Sequence, residues 1–283
     1  MPPHSRIFVL TTLAMVAFAG NSLLCRAALR DTAIDAATFT SIRVLSGALA
    51  LALIVRFRAG RAEGPAGSWP SAAALFAYAA FFSYSYLTLA AGTGALLLFG
   101  AVQATMIGVG LWRGERFTGV QLVGLALAIG GLVALLLPGI AAPPALGATL
   151  MILAGIAWGA YSLRGKGAGD PTRVTSGNFL RAVPMSLALS ACAFPWMAID
   201  ALGVIYAVAS GALASGVGYA IWYTALRGLR ATSAATVQLS VPAIAALGGI
   251  LFLGEPLTSR FLLAAAAILG GIALVVLSGR RPA

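Results

Sequence analysis

Long apolar segments follow one another along almost the whole chain, separated by short breaks rich in Arg, Gly and Pro. Runs of about 20 apolar residues are long enough to cross the hydrocarbon core of a bilayer as helices. The pattern therefore predicts an all-α membrane protein with ten transmembrane helices. We place these helices near residues 7–28, 38–56, 70–90, 94–112, 118–137, 145–164, 174–197, 201–226, 231–253 and 259–278.

The composition agrees with this class. Of the 283 residues, 60% are hydrophobic and 9% are charged, and the mean hydropathy is +0.98. Soluble domains carry about 25% charged residues. The first apolar run continues to about Leu29 without a strongly basic leader, so we expect a retained helix and not a cleaved signal peptide. Cys25 and Cys192 lack the spacing of a metal site or a disulfide framework.

The positions of the 18 basic residues predict the orientation, because Lys and Arg next to membrane spans stay on the cytoplasmic side. With the N-terminus inside, thirteen of them are cytoplasmic, three are external and two fall within spans. We therefore expect both termini in the cytoplasm. The net charge of +11 then needs no nucleic-acid partner. The external residues are Arg26, Arg30 and Arg260, and those within spans are Arg43 and Arg181.

The chain repeats itself with a shift of about 140 positions. This shift aligns residues 17–23 with 157–163 and residues 114–118 with 254–258, and a shift of 138 pairs Arg43 with Arg181. Each half contains five predicted helices, and an odd number means that the second half enters the membrane from the opposite side. The halves 1–140 and 141–283 are therefore predicted to form an inverted repeat around a central cavity, within one transport domain.

Several of these segments resemble a known family. Phe18-Ala19-Gly20-Asn21, Ile42-Arg43-Val44-Leu45, the Gly-Glu steps at 114–115 and 254–255, and Leu239-Ser240-Val241-Pro242 resemble EamA-type members of the drug/metabolite transporter (DMT) superfamily. The resemblance implies a ten-helix exporter of small metabolites, a group that includes amino-acid exporters of the YddG type. Val102 stands where the family usually has proline in the first half, so we expect the fourth helix to be straighter than the ninth.

The inventory of reactive side chains argues against an enzyme. The only histidine is His4 in the N-terminal tail, and the only lysine is Lys166 in a predicted loop. Seven acidic residues lie at predicted helix ends or in loops, so we expect no catalytic residue, no metal and no cofactor. Carriers driven by protons usually keep an ionisable group inside the membrane, so this pattern also favours facilitated diffusion. The acidic residues are Asp31, Asp35, Glu63, Glu115, Asp170, Asp200 and Glu255.

Two arginines within spans are candidates for gating. An arginine inside the membrane is by default a functional candidate. Arg43 and Glu255 are both predicted near the external side, and Arg181 and Glu115 near the cytoplasmic side, so ion pairs between the halves are geometrically feasible at each end. The alternative is that each arginine only reaches headgroups or helix carbonyls. Pro242 is predicted to bend the ninth helix, as a packing kink or as a hinge.

Aromatic and polar side chains within the spans are candidates for substrate contact. Helix 3 is rich in aromatic residues, and its positions 78, 82, 85 and 89 share one face at spacings of three and four. Aromatic residues in membrane helices also serve packing and interfacial belts, and that alternative stays open. The candidate substrate-binding residues are Tyr78, Phe82, Ser85, Asn21, Gln103, Trp158, Tyr161, Tyr219 and Gln238.

Together these observations predict a multi-pass carrier of the bacterial inner membrane. We expect it to export small metabolites, in particular aromatic and other neutral amino acids, by alternating access. Two alternatives remain, a multidrug or other metabolite exporter coupled to protons, and a membrane receptor or subunit that moves nothing. The expected partners are the small-molecule substrate and membrane lipids, with either a monomer or a homodimer as the assembly.

Overall fold

The computed structural model describes residues 3–58, 66–114, 116–139, 142–165, 169–229 and 231–278. Every regular element within these ranges is helical, which confirms the all-α prediction. The described elements form ten helical rods, α1 to α10. They are α1 (Pro3–Asp31), α2 (Ala36–Phe57), α3 (Trp69–Ser85), α4 (Ala91–Trp112), α5 (Gly119–Leu136), α6 (Ala145–Gly165), α7 (Pro171–Cys192), α8 (Ala201–Leu226), α9 (Ala231–Gln238 and Ser240–Leu253) and α10 (Ser259–Ser278).

Eight of these rods are long and apolar enough to cross a membrane by themselves. The other two are α3, which has 17 residues, and α7, which carries Arg173, Asn178 and Arg181. α3 is shorter than its apolar run, because the chain turns after Ser85 and offers the carbonyls of Tyr86 and Leu87 to Arg26. Large apolar side chains cover the outward faces of the rods, as expected for a protein surrounded by lipid.

Short polar side chains cap the N-termini of several helices. Asp35 accepts hydrogen bonds from the first turn of α2, Asp170 from α7 and Asp200 from α8. Thr118 and Gln121 form a reciprocal capping box at the start of α5. The backbone N–H groups of a first helical turn have no partner within the helix, so these caps set where the helices begin.

Two rods are irregular. α8 contains a π-helical segment over Ala209–Val217, between two α-helical segments. α9 is interrupted at Leu239, three residues before the buried Pro242. Proline removes a backbone N–H and its ring crowds the carbonyl four residues earlier, here that of Gln238, which explains the interruption. α4 has Val102 at the corresponding position and is uninterrupted.

Most of the helix pairs are preserved when each helix is exchanged for the one five places along. α3 and α4 pack on α6, just as α8 and α9 pack on α1. α2 packs on α7, α4 on α9 and α5 on α10, and each of these pairs is its own counterpart. α3 likewise packs on α7 as α8 packs on α2.

Because successive rods alternate in direction, their connections lie at two ends of the bundle. We call the end that carries residues 66–68, 165 and 169–171 the mouth end. The end that carries segments 32–35, 86–90 and 254–258 is the closed end.

Candidate functional site

A cavity of about 790 Å³ lies inside the bundle. Its wall contains residues of α1, α3, α4, α6, α7, α8 and α9, together with residues 66–68 and 169–170 of the mouth end. None of the described residues in its wall comes from the connections at the closed end. The cavity therefore extends from the middle of the bundle to the mouth end.

Eight of the nine candidate substrate-binding residues line this cavity. They are Asn21, Tyr78, Phe82, Gln103, Trp158, Tyr161, Tyr219 and Gln238. Ser85 is the exception and corrects our expectation for helix 3. It is fully buried, and its hydroxyl bonds the carbonyl of Phe82 and contacts Sδ of Met151 on α6. The Ser85 side chain therefore packs against α6 and does not line the cavity, although Tyr78 and Phe82 on the same face do.

Aromatic rings form one wall of the cavity, with Trp158 at their centre. The centroid of Trp158 lies 4.8 Å from that of Tyr78, 5.2 Å from that of Tyr161 and 5.3 Å from that of Tyr219. The rings of Tyr161 and Tyr219 are stacked on the indole, at interplanar angles of 29° and 25°. This surface offers extended π faces to a ligand.

A chain of hydrogen bonds leads from a buried arginine to the cavity wall. Nη2 of Arg43 donates to Oη of Tyr78 over 3.0 Å, and Nδ2 of Asn21 donates to the same oxygen over 3.3 Å. Oγ of Ser210, in the π-helical segment of α8, donates to Oδ1 of Asn21 over 2.6 Å. Sequence reasoning missed Ser210, because a serine in a small-residue segment gives no signal of its own.

A second polar cluster lies nearer the mouth end. Oη of Tyr161 and Oη of Tyr223 each lie 3.1 Å from Oγ1 of Thr175. Nδ2 of Asn178 donates to Oη of Tyr161, and its Oδ1 accepts from the backbone N–H of Ser68. All five residues line the cavity, so polar groups from α3, α6, α7 and α8 meet at this point.

Basic residues surround the mouth of the cavity. Arg164 and Arg173 contribute to the wall there, and Nε of Arg164 donates to Ser71. Arg58, at the end of α2, donates to Thr172 of α7 and to Thr224 of α8. These bonds connect the ends of three helices beside the opening.

The closed end is held by an ion pair between the two halves of the chain. Nε of Arg26 on α1 lies 3.1 Å from Oε1 of Glu255, which follows α9. Nη1 of Arg26 also donates to the carbonyls of Tyr86 and Leu87, and Oε2 of Glu255 accepts from the backbone N–H of Ala91. One bonded layer thus joins α1, α3, α4 and α9.

This layer corrects the expected partner of Glu255. We expected Arg43, but Arg43 lies two turns inside α2, where its guanidinium reaches Tyr78 and Phe82. Gly254 has the left-handed backbone angle φ of +63°, which ends α9 and turns Glu255 toward α1. Arg181 donates to the carbonyls of Ala66 and Gly177, and its expected partner Glu115 lies outside the described residues.

Asp35 joins two connections at the closed end. Oδ1 accepts from the N–H groups of Ala37 and Thr38, and Oδ2 accepts from that of Ala198. Burial raises the pKa of this carboxyl, but the hydrogen bonds from Thr38, Ala198 and Ala37 outweigh burial and lower the pKa below its ordinary value. The ionised form therefore fastens the α1–α2 connection to the α7–α8 connection.

Comparison with known proteins agrees with this architecture. The EamA-like transporter family matches residues 145–277. The uncharacterised protein PA1977 of Pseudomonas aeruginosa is 58% identical over 274 residues, which cover 97% of this chain and 96% of that protein. The chain belongs to the EamA-like transporter family. This EamA-type protein is therefore a multi-pass membrane transporter, and the resemblance to the DMT superfamily is confirmed.

Two further comparisons of this EamA-type transporter are informative. The threonine/homoserine exporter RhtA of Salmonella typhimurium is 35% identical over 141 residues, 48% of this chain and 46% of the exporter. A solved crystal structure with 16% sequence identity has a TM-score of 0.68 and covers 98% of this chain and 99% of its own. That likeness shows a shared fold over the whole length.

Proposed function

We propose that this EamA-type transporter exports amino acids, aromatic and other neutral ones, from the cytoplasm across the bacterial inner membrane by alternating access. The observation that carries the proposal is the cavity, which is open toward the mouth end and sealed from the closed end by the layer around Arg26 and Glu255. A site reached from one side only is what one state of an alternating carrier requires.

The chemistry of the cavity supports an amino acid as substrate. Its volume of about 790 Å³ falls within the usual range for small-molecule sites, about 300–1,000 Å³. Trp158 and its neighbouring rings suit an apolar or aromatic side chain, whereas Asn21, Gln103 and Asn178 supply hydrogen bonds for a polar backbone. The relative RhtA is an exporter of threonine and homoserine, which belong to the same class of solute.

The distribution of charge supports an orientation with the mouth end in the cytoplasm. Eight of the described arginines lie in the terminal turns or connections of the mouth end, and three lie at the closed end. By the positive-inside rule, this distribution supports an opening on the cytoplasmic side, from which an exporter loads its substrate. The eight are Arg6, Arg56, Arg58, Arg113, Arg116, Arg164, Arg173 and Arg227.

The helix pairs support an exchange between two states. Because most of the same pairs occur when each helix is replaced by the one five places along, residues 1–140 and 141–283 are proposed to be inverted repeats. If the halves exchange conformations, the layer around Glu255 opens and the contacts at the mouth end close. Pro242 and the break at Leu239 lie beside the cavity residue Gln238 and are proposed as the hinge of α9.

Facilitated diffusion is proposed as the energetic mode. Among the described carboxylates, only that of Asp170 belongs to the cavity wall, and it lies at the mouth. Arg43 carries a positive charge deep in the bundle, beside the cavity. This charge disfavours cationic drugs as substrates.

Uptake of labelled phenylalanine, leucine and threonine into liposomes containing the purified protein, with no ion gradient, tests the proposal. We expect saturable uptake that stops at equal concentrations, and no uptake above background in empty liposomes. Binding without flux would indicate a receptor. Accumulation that requires a proton gradient would contradict facilitated diffusion, and competition by unrelated organic cations would indicate a multidrug exporter.

A further inference from the structure

Arg43 carries a charge that no described acidic side chain neutralises. It is 2% exposed, and it takes no part in the ion pairs of Arg26 with Glu255 and of Arg30 with Asp31. Its Nη1 is buried without a hydrogen-bond partner in the described structure. A charge inside the membrane is costly and is normally paired or placed beside a polar pathway, so an unneutralised guanidinium calls for an anion from elsewhere.

Tyr78 connects this charge to the cavity. Its oxygen already accepts hydrogen bonds from Arg43 and from Asn21, so its own proton is left to donate. No bond donated by this hydroxyl to another described residue is present, and Tyr78 lines the cavity. The O–H group is therefore available to a ligand, and the neighbouring positive charge strengthens it as a donor.

Asn21 supplies a second donor at the same place. Its Oδ1 is occupied by the hydroxyl of Ser210, which fixes the orientation of the amide. Its Nδ2 carries two protons, one of which goes to Tyr78. Asn21 also lines the cavity, so the remaining N–H lies beside the Tyr78 hydroxyl. Two donors backed by a cation, without a described carboxylate among them, suit an anionic acceptor.

We infer that Tyr78 and Asn21 form a subsite for the carboxylate of the substrate, and that Arg43 acts through Tyr78 as its positioning residue. The inference rests on the proposed function, because it assigns the carboxylate end of an amino acid to this part of the same cavity. The side chain of the substrate then extends toward Trp158, whose ring lies 4.8 Å from that of Tyr78.

Competition binding to the purified full-length protein in detergent tests the subsite. Labelled phenylalanine is displaced by unlabelled phenylalanine or by phenylalaninamide, which has the same side chain and no carboxylate. For the wild type we expect the amide to compete at least about tenfold more weakly, as for loss of a charge-assisted hydrogen bond. In Tyr78→Phe, which keeps the ring, we expect the two compounds to differ by less than about threefold.

Variants of the arginine separate charge from structure. Arg43→Gln is expected to lose discrimination, and Arg43→Lys to keep part of it because the charge remains. Tyr206→Phe, a half-buried tyrosine outside the cavity wall, is the matched control and should discriminate like the wild type. If Arg43→Gln does not fold, Tyr78→Phe still decides the question.

Each outcome is informative. Equal competition by the amide in the wild type would overturn the subsite and leave an amino-acid transporter standing. Unchanged discrimination in Tyr78→Phe would place the carboxylate elsewhere. If the wild type binds none of phenylalanine, leucine and threonine, the proposed function is wrong and the subsite falls with it.

Discussion

Arg26 and Glu255 lie 229 residues apart in the chain and meet at 3.1 Å between Nε and Oε1. Their side chains are 13% and 8% exposed, so the pair is largely removed from solvent. Glu255 also accepts from the N–H of Ala91 on α4. Its carboxylate therefore connects α1 and α4 to the end of α9. The seal at the closed end therefore depends strongly on two side chains.

Removing either partner should destabilise the protein. Arg26→Gln and Glu255→Gln are each expected to reduce the free energy of unfolding by about 1–3 kcal/mol, because each leaves a buried group without its partner. The double variant should lose less than the sum of the two. Thermal or denaturant unfolding in detergent measures these values. Asp31→Asn, in the more exposed pair with Arg30, is the control and should change the free energy by less than about 1 kcal/mol. Additive losses in the double variant would show that the two side chains act independently.

The aromatic wall predicts selectivity among substrates. Trp158→Ala should weaken binding of phenylalanine by roughly 2–10-fold, since an aromatic pair contributes about 0.5–1.5 kcal/mol beyond burial, and should weaken threonine less. Trp158→Phe should keep most of the affinity. Trp112→Ala, which is 86% exposed and outside the cavity, is the matched control. Equal losses for phenylalanine and threonine would argue that the indole only supports the cavity.

Much of this wall was predictable from the sequence, and the reason is physical. Polar and aromatic side chains such as Asn21, Gln103 and Trp158 are conspicuous within apolar helices, because burial in a membrane penalises a polar group that faces no partner or cavity. Ser85 shows the limit. Helical spacing says which residues share a face, but not how far along that face the cavity extends. Tyr78 and Phe82 line the cavity, whereas Ser85 contacts Met151 of α6.

The pairing of Arg26 was beyond sequence reasoning. In the sequence, Arg26 lies beside a loop and enters only the count of charges. Whether Arg26 or Arg43 pairs with Glu255 depends on how deep each arginine lies in the bundle relative to Glu255. Depth follows from where α1 and α2 end and how they pack on α9 and α7, which local sequence does not encode. The ten helices themselves follow directly from the apolar runs.

Asp35 makes stability depend on pH. A carboxyl whose pKa is lowered on folding contributes stability above its unfolded pKa of about 3.9, and this contribution is lost as the pH falls through the folded value. We expect the unfolding temperature of the wild type to fall below about pH 4 and the fall to be smaller in Asp35→Asn. Thermal unfolding at about pH 7 and about pH 3 measures this difference. An Asn variant that loses as much stability as the wild type would contradict the assigned role.

Replacing Pro242 should raise stability and slow transport. Pro242→Ala restores the N–H that can bond the carbonyl of Gln238, so we expect a more continuous α9 and a higher unfolding temperature. Uptake should slow several-fold while phenylalanine affinity changes little, if the break serves as a hinge. Pro184→Ala is the control, because Pro184 is exposed within the uninterrupted α7. A Pro242→Ala protein with wild-type turnover would leave the break as a packing feature.

The closed end also depends on close packing of α4 against α9. A Cβ placed on Gly92 would lie 2.7 Å from the Cβ of Ala246, and Cβ atoms in disulfides are about 3.8 Å apart. A separation of about 1 Å between these helices would therefore accommodate a disulfide in Gly92→Cys/Ala246→Cys. Cys192→Ser removes the exposed native thiol, whereas Cys25 is buried and can remain.

Transport by this double-cysteine protein, oxidised and then reduced in the same liposomes, tests alternating access most directly. With the disulfide verified by mass, we expect the oxidised protein to bind phenylalanine from the mouth end and to move none, and reduction to restore saturable uptake. Uptake at the same rate in both forms would contradict the account, because substrate would then cross without opening the closed end.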